Sequence, residues 1–203
     1  LMMVIQAEGG LAAGAFQGDH LLGYVFAFPT RNPDIQHSHR LAVRAEARGL
    51  GLGLALKWYQ RDWCLARGIT HVRWTFDPLR VANAALNIHR LGAEAHVYYP
   101  NYYGPMPGIN KGAPSDRLLV DWHLQDPHVV ACSSGRTDLP EDLRKTALRI
   151  AIPSDFGSLL NSDPDAAVKA RLHVRGLIQT AFSDSYRVRG FDIAERAYLL
   201  ARS

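Results

Sequence analysis

Several features are missing from this sequence, and their absence limits the class of protein that it can encode. It has only two cysteines, Cys64 and Cys132, in 203 residues, and they do not have the spacing of zinc or redox motifs. No run approaches the ~18 apolar residues of a membrane span, and no signal peptide is visible after Leu1. We therefore expect a cytoplasmic protein in a reducing environment, with no membrane partner and no disulfide scaffold.

A concentrated basic segment is also missing. The formal net charge is +4 and the isoelectric point is near 9.2, but lysines and arginines are scattered, without a basic run or an aromatic-basic stripe. This distribution favours an anionic small ligand over nucleic acid. The sequence leaves the oligomeric state open, a homodimer included.

Two well-known phosphate-binding motifs are absent, yet a glycine-rich loop is present. Residues 48–53 read Arg-Gly-Leu-Gly-Leu-Gly between a strand-like run and an amphipathic segment. They match neither G-x-G-x-x-G nor G-x-x-x-x-G-K-[ST]. Glycines between a strand and a helix expose main-chain N–H groups beside the positive helix end, which favours anion binding. The alternative is a glycine-rich turn that only caps a core helix.

Apolar periodicity predicts the order β-β-β-α-β-α-β-β over about residues 5–124. The predicted strands are 11–16, 20–28, 36–44, 70–76, 94–99 and 117–124, and the first long helix is 51–67. That helix has a predicted apolar face of Leu52, Ala55, Leu56, Tyr59, Trp63 and Ala66, with Lys57 and Gln60 outside it. Asp77 and Pro78 predict the start of a second helix that runs to about Leu91.

The sequence suggests two domains, residues 1–125 and 126–203. Residues 1–8 resemble the tail of a helix, and residues 126–147 have the polar composition of a linker. Asp163-Pro164 predicts another helix start, and strand-like runs follow at 186–192 and 197–202. We expect a small C-terminal α+β extension.

Val43 to Gly53 reads V-x-x-E-x-R-G-x-G-x-G, which resembles motif A of the GNAT (GCN5-related) N-acyltransferases. The resemblance implies an α+β, three-layer fold with a mixed, mostly antiparallel sheet and a V-shaped cleft. It implies acetyl-CoA or another acyl-CoA as cofactor, and no metal. The pyrophosphate would bind Arg48, Gly49, Leu50, Gly51, Leu52 and Gly53, and the pantetheine arm would follow Val43. The strand and helix that open the family's fold are not recognisable here.

The catalytic residues are less clear, because Ile88 stands where the family usually has a tyrosine acid. Tyr103, within a tyrosine-rich stretch, is a substitute acid or a packing aromatic. Asp77 is a candidate base or a helix N-cap. His39, which shares a strand face with His37, is a candidate base, a structural histidine or half of a metal pair.

A second stretch, from Trp74-Thr-Phe-Asp-Pro to Asn101-Tyr-Tyr-Gly104 and beyond, resembles a largely uncharacterised GNAT branch. Some relatives are associated with amino-acid N-succinylation, which makes succinyl-CoA a candidate donor. Asn83 and Asn87 would bind the pantetheine amides or face solvent. Arg117 would bind a substrate carboxylate, or is a surface arginine paired with Asp116 or Asp121.

These expectations together describe an N-acyltransferase that moves an acetyl or succinyl group to a small-molecule amine such as an amino acid. A non-catalytic acyl-CoA-binding module is the alternative, and a nucleic-acid-associated protein is a third reading supported only by the isoelectric point.

Overall fold

A computed structural model describes residues 2–104 and 113–202 of the chain. The helices are α1 (Met2–Ala7), α2 (Leu52–Leu65), α3 (Val81–Ala84), α4 (Pro127–Ser133), α5 (Glu141–Thr146), α6 (Phe156–Ser162) and α7 (Pro164–Ser183). The strands are β1 (Leu11–Gln17), β2 (His20–Pro29), β3 (Ile35–Val43), β4 (His71–Phe76), β5 (Glu94–Tyr99), β6 (Arg117–His123), β7 (Leu148–Ala151), β8 (Tyr186–Asp192) and β9 (Ala197–Arg202).

The chain forms two compact units. The first contains the residues up to Trp74 together with Asp121–Ser134, and the second contains Thr75–Val120 together with the residues from Gly135 onward. Residues 75–120 therefore share a unit with most of the C-terminal region. The division at residue 125 that we inferred from composition stays a prediction.

The first unit orders its strands β1-β2-β3-β4. β1–β2 and β2–β3 are antiparallel, while β3–β4 is parallel and pairs only through Ile35–His71, Gln36–Val72 and His37–Arg73. One extra residue, His39, enters β3 where the register against β2 shifts. The parallel pair thus ends well before the glycine loop, as the predicted cleft requires.

Helix α2 packs against this sheet, but not through the predicted face. Its buried residues are Leu56, Lys57, Gln60 and Cys64, whereas Tyr59 is 54% exposed. The predicted apolar face is therefore wrong, because the helix buries two polar side chains together with Leu56. Leu56 packs with Leu11, Val25 and Ala27 in the apolar core of the unit.

The second unit orders its strands β5-β8-β9-β7, all in antiparallel pairs. Helix α7 begins at Asp163, whose side chain accepts a hydrogen bond from Ala166 N, so the predicted start is confirmed. The pair β3–β4 is parallel, whereas β1–β2, β2–β3, β5–β8, β7–β9 and β8–β9 are antiparallel. The predicted mixed, mostly antiparallel α+β fold is confirmed.

Two local predictions need correction. The second helix begins at Val81 rather than Pro78, because Asp77 Oδ1 accepts a hydrogen bond from Leu79 N and closes a turn there. Residues 126–147, predicted as a linker, contain α4 and α5. Among the residues that the structure describes, no helix has the length and apolar character needed to cross a bilayer.

Candidate functional site

The glycine loop joins β3 to α2 with a backbone that glycine makes accessible. Gly49 and Gly51 have φ values of 84° and 74°, in the left-handed region that other residues adopt at a cost. Gly51 is the N-cap of α2, and no side chain caps the helix. The N–H groups of the first turn have no intrahelical partner by geometry, so they are available to an anion.

Little covers the loop in the first unit. A Cβ on Gly51 would meet nothing within 4 Å, and a Cβ on Gly53 would only touch Leu41 and Val43 at 3.8 and 3.9 Å. Arg48 and Leu50 are exposed beside them. The residues predicted to bind the cofactor, Val43 and 48–53, thus form one continuous stretch with an open main chain.

His37 and His39 form an aromatic cluster with Phe28 on β2. The ring centroids of His37 and His39 lie 5.0 and 5.5 Å from that of Phe28. Burial, followed by the nearby charges of His39, Arg73 and Lys57, lowers the pKa of His37. His39 is exposed. No group of three His, Cys, Asp or Glu side chains able to hold a metal occurs in residues 2–104 and 113–202.

A buried polar network lies between α2 and β3. Lys57 Nζ donates to Ser38 Oγ at 3.1 Å and to Gln60 Oε1 at 2.8 Å. Gln60 Nε2 donates to Gln36 Oε1 at 2.7 Å, and Cys64 Sγ lies 3.2 Å from the same Gln36 oxygen. This network could not be predicted from the periodicity of the helix, because Lys57 and Gln60 lie outside its predicted apolar face.

Lys57 is almost completely buried, with 2% exposure. Its ammonium nitrogen lies 3.6 Å from the ring centroid of Trp74 and 5.1 Å from that of Trp122, within cation–π range. Burial lowers the pKa of Lys57 to about 7, with a small opposing effect from Cys64. Burial likewise raises the pKa of the Cys64 thiol to about 12.

In the second unit, Asp77 is occupied by an arginine from α7. Arg171 Nη1 donates to Asp77 Oδ1 at 2.5 Å and Nη2 donates to Oδ2 at 2.8 Å, and both residues are buried. Since Leu79 N also donates to Oδ1, both carboxylate oxygens are engaged. The catalytic role of Asp77 stays a prediction, and its geometry favours a structural role.

A second carboxylate, Asp116, organises the tyrosine-rich turn. It accepts hydrogen bonds from Tyr98 Oη at 2.7 Å, from Asn101 N at 2.9 Å, and from Arg175 Nε and Nη2 at 2.9 and 2.7 Å. Burial, and then the hydrogen bond to Asp116, raises the pKa of Tyr98 well above its usual range. Tyr98 is therefore a poor proton donor.

Tyr103 and Arg117 remain beside this turn. Tyr103 is 54% exposed, and the Arg117 guanidinium lies 4.9 Å from its ring centroid. Arg117 Nη1 also donates to the carbonyl of Asp116 at 2.7 Å. The carboxylate of Asp116 pairs with Arg175, and that of Asp121 pairs with His71 at 2.8 Å. The structure thus brings together the predicted acid and the predicted substrate-binding arginine.

Asn83 and Asn87 lie where the helix changes type. Residues 85–90 form a π-helix, with i→i+5 bonding such as Leu91 N to Leu86 O, so the regular α-helical spacing ends between the two asparagines. Asn87 is buried and Ile88 is fully buried. Ile88 is thus a core residue.

The predicted site residues divide between the units. His39, Val43 and the loop 48–53 belong to the first, and Asp77, Asn83, Asn87, Tyr103 and Arg117 belong to the second. Each predicted role stays a prediction.

Comparison with known proteins agrees with this geometry. Residues 3–93 match the sequence model of the Acetyltransferase (GNAT) family. No curated protein matches the chain by sequence.

Solved structures with the same fold include the ribosomal-protein-S18-alanine N-acetyltransferase of Escherichia coli, with 20% identity, a TM-score of 0.51, and coverage of 60% of this chain and 74% of that one. A second is yncA of Salmonella typhimurium with its cofactor acetyl-CoA, with 18% identity, a TM-score of 0.52, and coverage of 61% of this chain and 70% of that one. At these identities the likeness concerns the fold alone.

Proposed function

We propose that this protein transfers an acyl group from acyl-coenzyme A to the amine of a small molecule, because residues 3–93 match the sequence model of the Acetyltransferase (GNAT) family. The observation that carries the proposal is the uncapped start of α2, where Gly51 presents an open main chain. First-turn N–H groups and the helix dipole suit a pyrophosphate there.

The chemistry needs an aligned amine, a proton acceptor and donors for the developing oxyanion. His39 is the proposed base, since its side chain is exposed and histidine is the residue that most often serves as a general base. Tyr103 is the proposed acid, since it is exposed while Tyr98 is held by Asp116.

The proposed acceptor is a free amino acid, and acetyl and succinyl groups are the proposed donors. Arg117 supports this proposal because it lies over Tyr103 and its planar guanidinium matches a carboxylate. We further propose a cytoplasmic enzyme without nucleic-acid or membrane partners; a homodimer is one arrangement to test.

A direct test combines two measurements. Calorimetry should detect binding of coenzyme A, and mass spectrometry should detect acylated products when the protein is given acetyl-CoA or succinyl-CoA with a pooled amine library. Binding without any acylated product would favour the second candidate, a non-catalytic acyl-CoA-binding module. That candidate is favoured by Ile88 in the core and by the occupied carboxylate of Asp77. Absence of binding would reject both.

A further inference from the structure

The strand gap, the place in the first unit where β3 and β4 separate after His37 and Arg73, contains a buried amine. Ser38 and Trp74 are the next residues on the two strands. Lys57 Nζ contacts both, at 3.1 Å from Ser38 Oγ and 3.6 Å from the centroid of the Trp74 ring. The end of the lysine side chain therefore bridges the two strands where their pairing stops.

The contacts that the structure gives for this ammonium are all neutral. They are the hydroxyl of Ser38, the amide oxygen of Gln60 and the indoles of Trp74 and Trp122. A buried charge without an opposite charge is unfavourable. A methionine of similar length would fill this place without that cost, so packing alone does not explain a lysine here.

The protonation state of Lys57 is linked to the orientation of two amides. A charged amine only donates, so Gln60 must turn Oε1 towards it, and Gln60 Nε2 then donates to Gln36 Oε1. Among residues 2–104 and 113–202, this arrangement leaves the buried Gln36 Nε2 without an acceptor. A neutral amine also accepts, so both amides can turn over and satisfy that nitrogen. Loss of the proton would thus change the hydrogen bonds of Gln36 on β3, beside the strand gap.

We propose that Lys57 is a positioning residue of the cofactor site: its buried ammonium keeps β3 and β4 apart, and loss of its proton weakens the binding of coenzyme A. This inference rests on the proposed function, and it takes the V-shaped cleft that the GNAT resemblance implies to be the gap between β3 and β4. The charged amine is fixed on Trp74 by the cation–π contact, and its charge attracts an anionic ligand. Both effects disappear in the neutral form.

Few other groups titrate here in the same range. On α2, Cys64 has a pKa raised by burial to about 12, so it stays protonated. On β3, burial lowers the pKa of His37, which also responds to His39 and to Arg73 of β4. The remaining contacts of the ammonium, Trp74 on β4 and Trp122 on β6, are indoles. The lowered pKa of Lys57, about 7, places its own titration in the accessible range.

The first test measures the affinity for coenzyme A by calorimetry at pH 6 and pH 9. Lys57→Met removes the amine, and Lys169→Met removes an exposed lysine of α7 as a matched control. Between pH 6 and pH 9, the affinity of the wild-type protein and of the control for coenzyme A should fall by a factor about fivefold larger than that of Lys57→Met. A factor of this size is typical of the coupling between two sites. The phosphates of the cofactor also titrate, but equally for all three proteins.

The second test needs no variant and so does not depend on the folding of Lys57→Met. The chain has four lysines, and ¹³C NMR of their side chains should show one that titrates near neutral pH. Reciprocity requires coenzyme A to raise the pKa of that lysine. Identical pH profiles in the wild type and Lys57→Met, or a lysine pKa unchanged by cofactor, would overturn the role of Lys57 alone. Absence of binding in the wild type would overturn the proposed function with it.

Discussion

The two units bury a cation in opposite ways. In the first, Lys57 contacts neutral groups, and burial lowers its pKa to about 7. In the second, Arg171 is equally buried, and burial lowers its pKa, but the hydrogen bonds and charge of Asp77 together with the charges of Tyr98 and Asp116 outweigh burial and raise that pKa. The environment, rather than the depth of burial, decides whether a cation keeps its charge.

The choice of residue fits this difference. An arginine holds its charge at any physiological pH and matches a carboxylate with two hydrogen bonds, so the Arg171–Asp77 pair is suited to fixing α7. A lysine changes its charge when it is buried, so Lys57 is suited to responding. Four predictions test this comparison, from the largest expected effect to the smallest.

The largest effect should be a pH-dependent loss of unfolding free energy caused by the buried Lys57. Its pKa falls from 10.5 in the unfolded chain to about 7 in the folded one, and each unit corresponds to about 1.4 kcal/mol. The wild type should therefore lose on the order of 5 kcal/mol of unfolding free energy relative to Lys57→Met as the pH falls from 10.5 to 7, and lose no more below 7. Urea unfolding across this range measures it. A constant difference between the two proteins would show that Lys57 stays charged when folded.

Breaking the buried Arg171–Asp77 ion pair should destabilise the folded protein throughout the neutral pH range. Asp77→Ala leaves Arg171 buried without its carboxylate, which should cost about 3–5 kcal/mol of unfolding free energy. Asp62→Ala is the control, because the Asp62 side chain is 75% exposed and pairs with Arg61 at 3.4 Å; it should cost less than about 1 kcal/mol. Equal effects of the two substitutions would refute a structural role for the buried pair and renew the case for Asp77 as a base.

The open main chain of the first unit can be closed by one side chain. Gly53→Val should weaken coenzyme A by at least ~10-fold, or ~1.4 kcal/mol, because it covers the N–H groups of α2. Gly53 is a better probe than Gly51, whose positive φ would make a side chain strain the fold. Gly176→Val, at another helical glycine with no neighbour within 4 Å of an added Cβ, controls for helix effects. Unchanged affinity in a folded Gly53→Val protein would remove the loop as the cofactor site.

The smallest effect concerns a third cation, Arg117, which is half-buried over Tyr103. Arg117→Met should raise the KM for amino acids by about fivefold, or roughly 1 kcal/mol, as expected for a partly exposed charge pair. The affinity for coenzyme A and the KM for uncharged amines should not change. Steady-state kinetics with both amine types measures this difference, and an equal rise for both would make Arg117 structural.

Local signals predicted much of the fold. Strand-like runs predicted the bounds of β8 and β9, and Asp163-Pro164 predicted the start of α7. The same Asp-Pro signal failed at Asp77, because Asp77 Oδ1 closes a turn with Leu79 N and the carboxylate is also held by Arg171, 94 residues later in the chain. A partner so distant leaves no trace in local sequence.

The site shows the same limit. The glycine loop is a local motif, so the resemblance of residues 48–53 to motif A is visible in the sequence, and their role in binding the cofactor stays a prediction. Lys57 lies outside the apolar face that periodicity predicts, and a lysine is rarely buried without a charged partner, so the sequence gives no sign of its burial. Its burial is explained by its contacts with Ser38, Gln60 and Trp74. Those contacts form only when the helix packs against the sheet.

The extra residue in β3 limits which sequence changes this strand can accept during evolution. Before His39, the even-numbered Gln36 and Ser38 face α2; after it, the odd-numbered Leu41 and Val43 do. Without this change of phase, a strand with strict alternation would present Arg40 and Ala42 to the helix instead. A single substitution in β3 alters one side chain. Deletion of one residue would instead turn every later side chain of the strand to the opposite face of the sheet. The length of this strand should therefore vary less among homologous proteins than its composition.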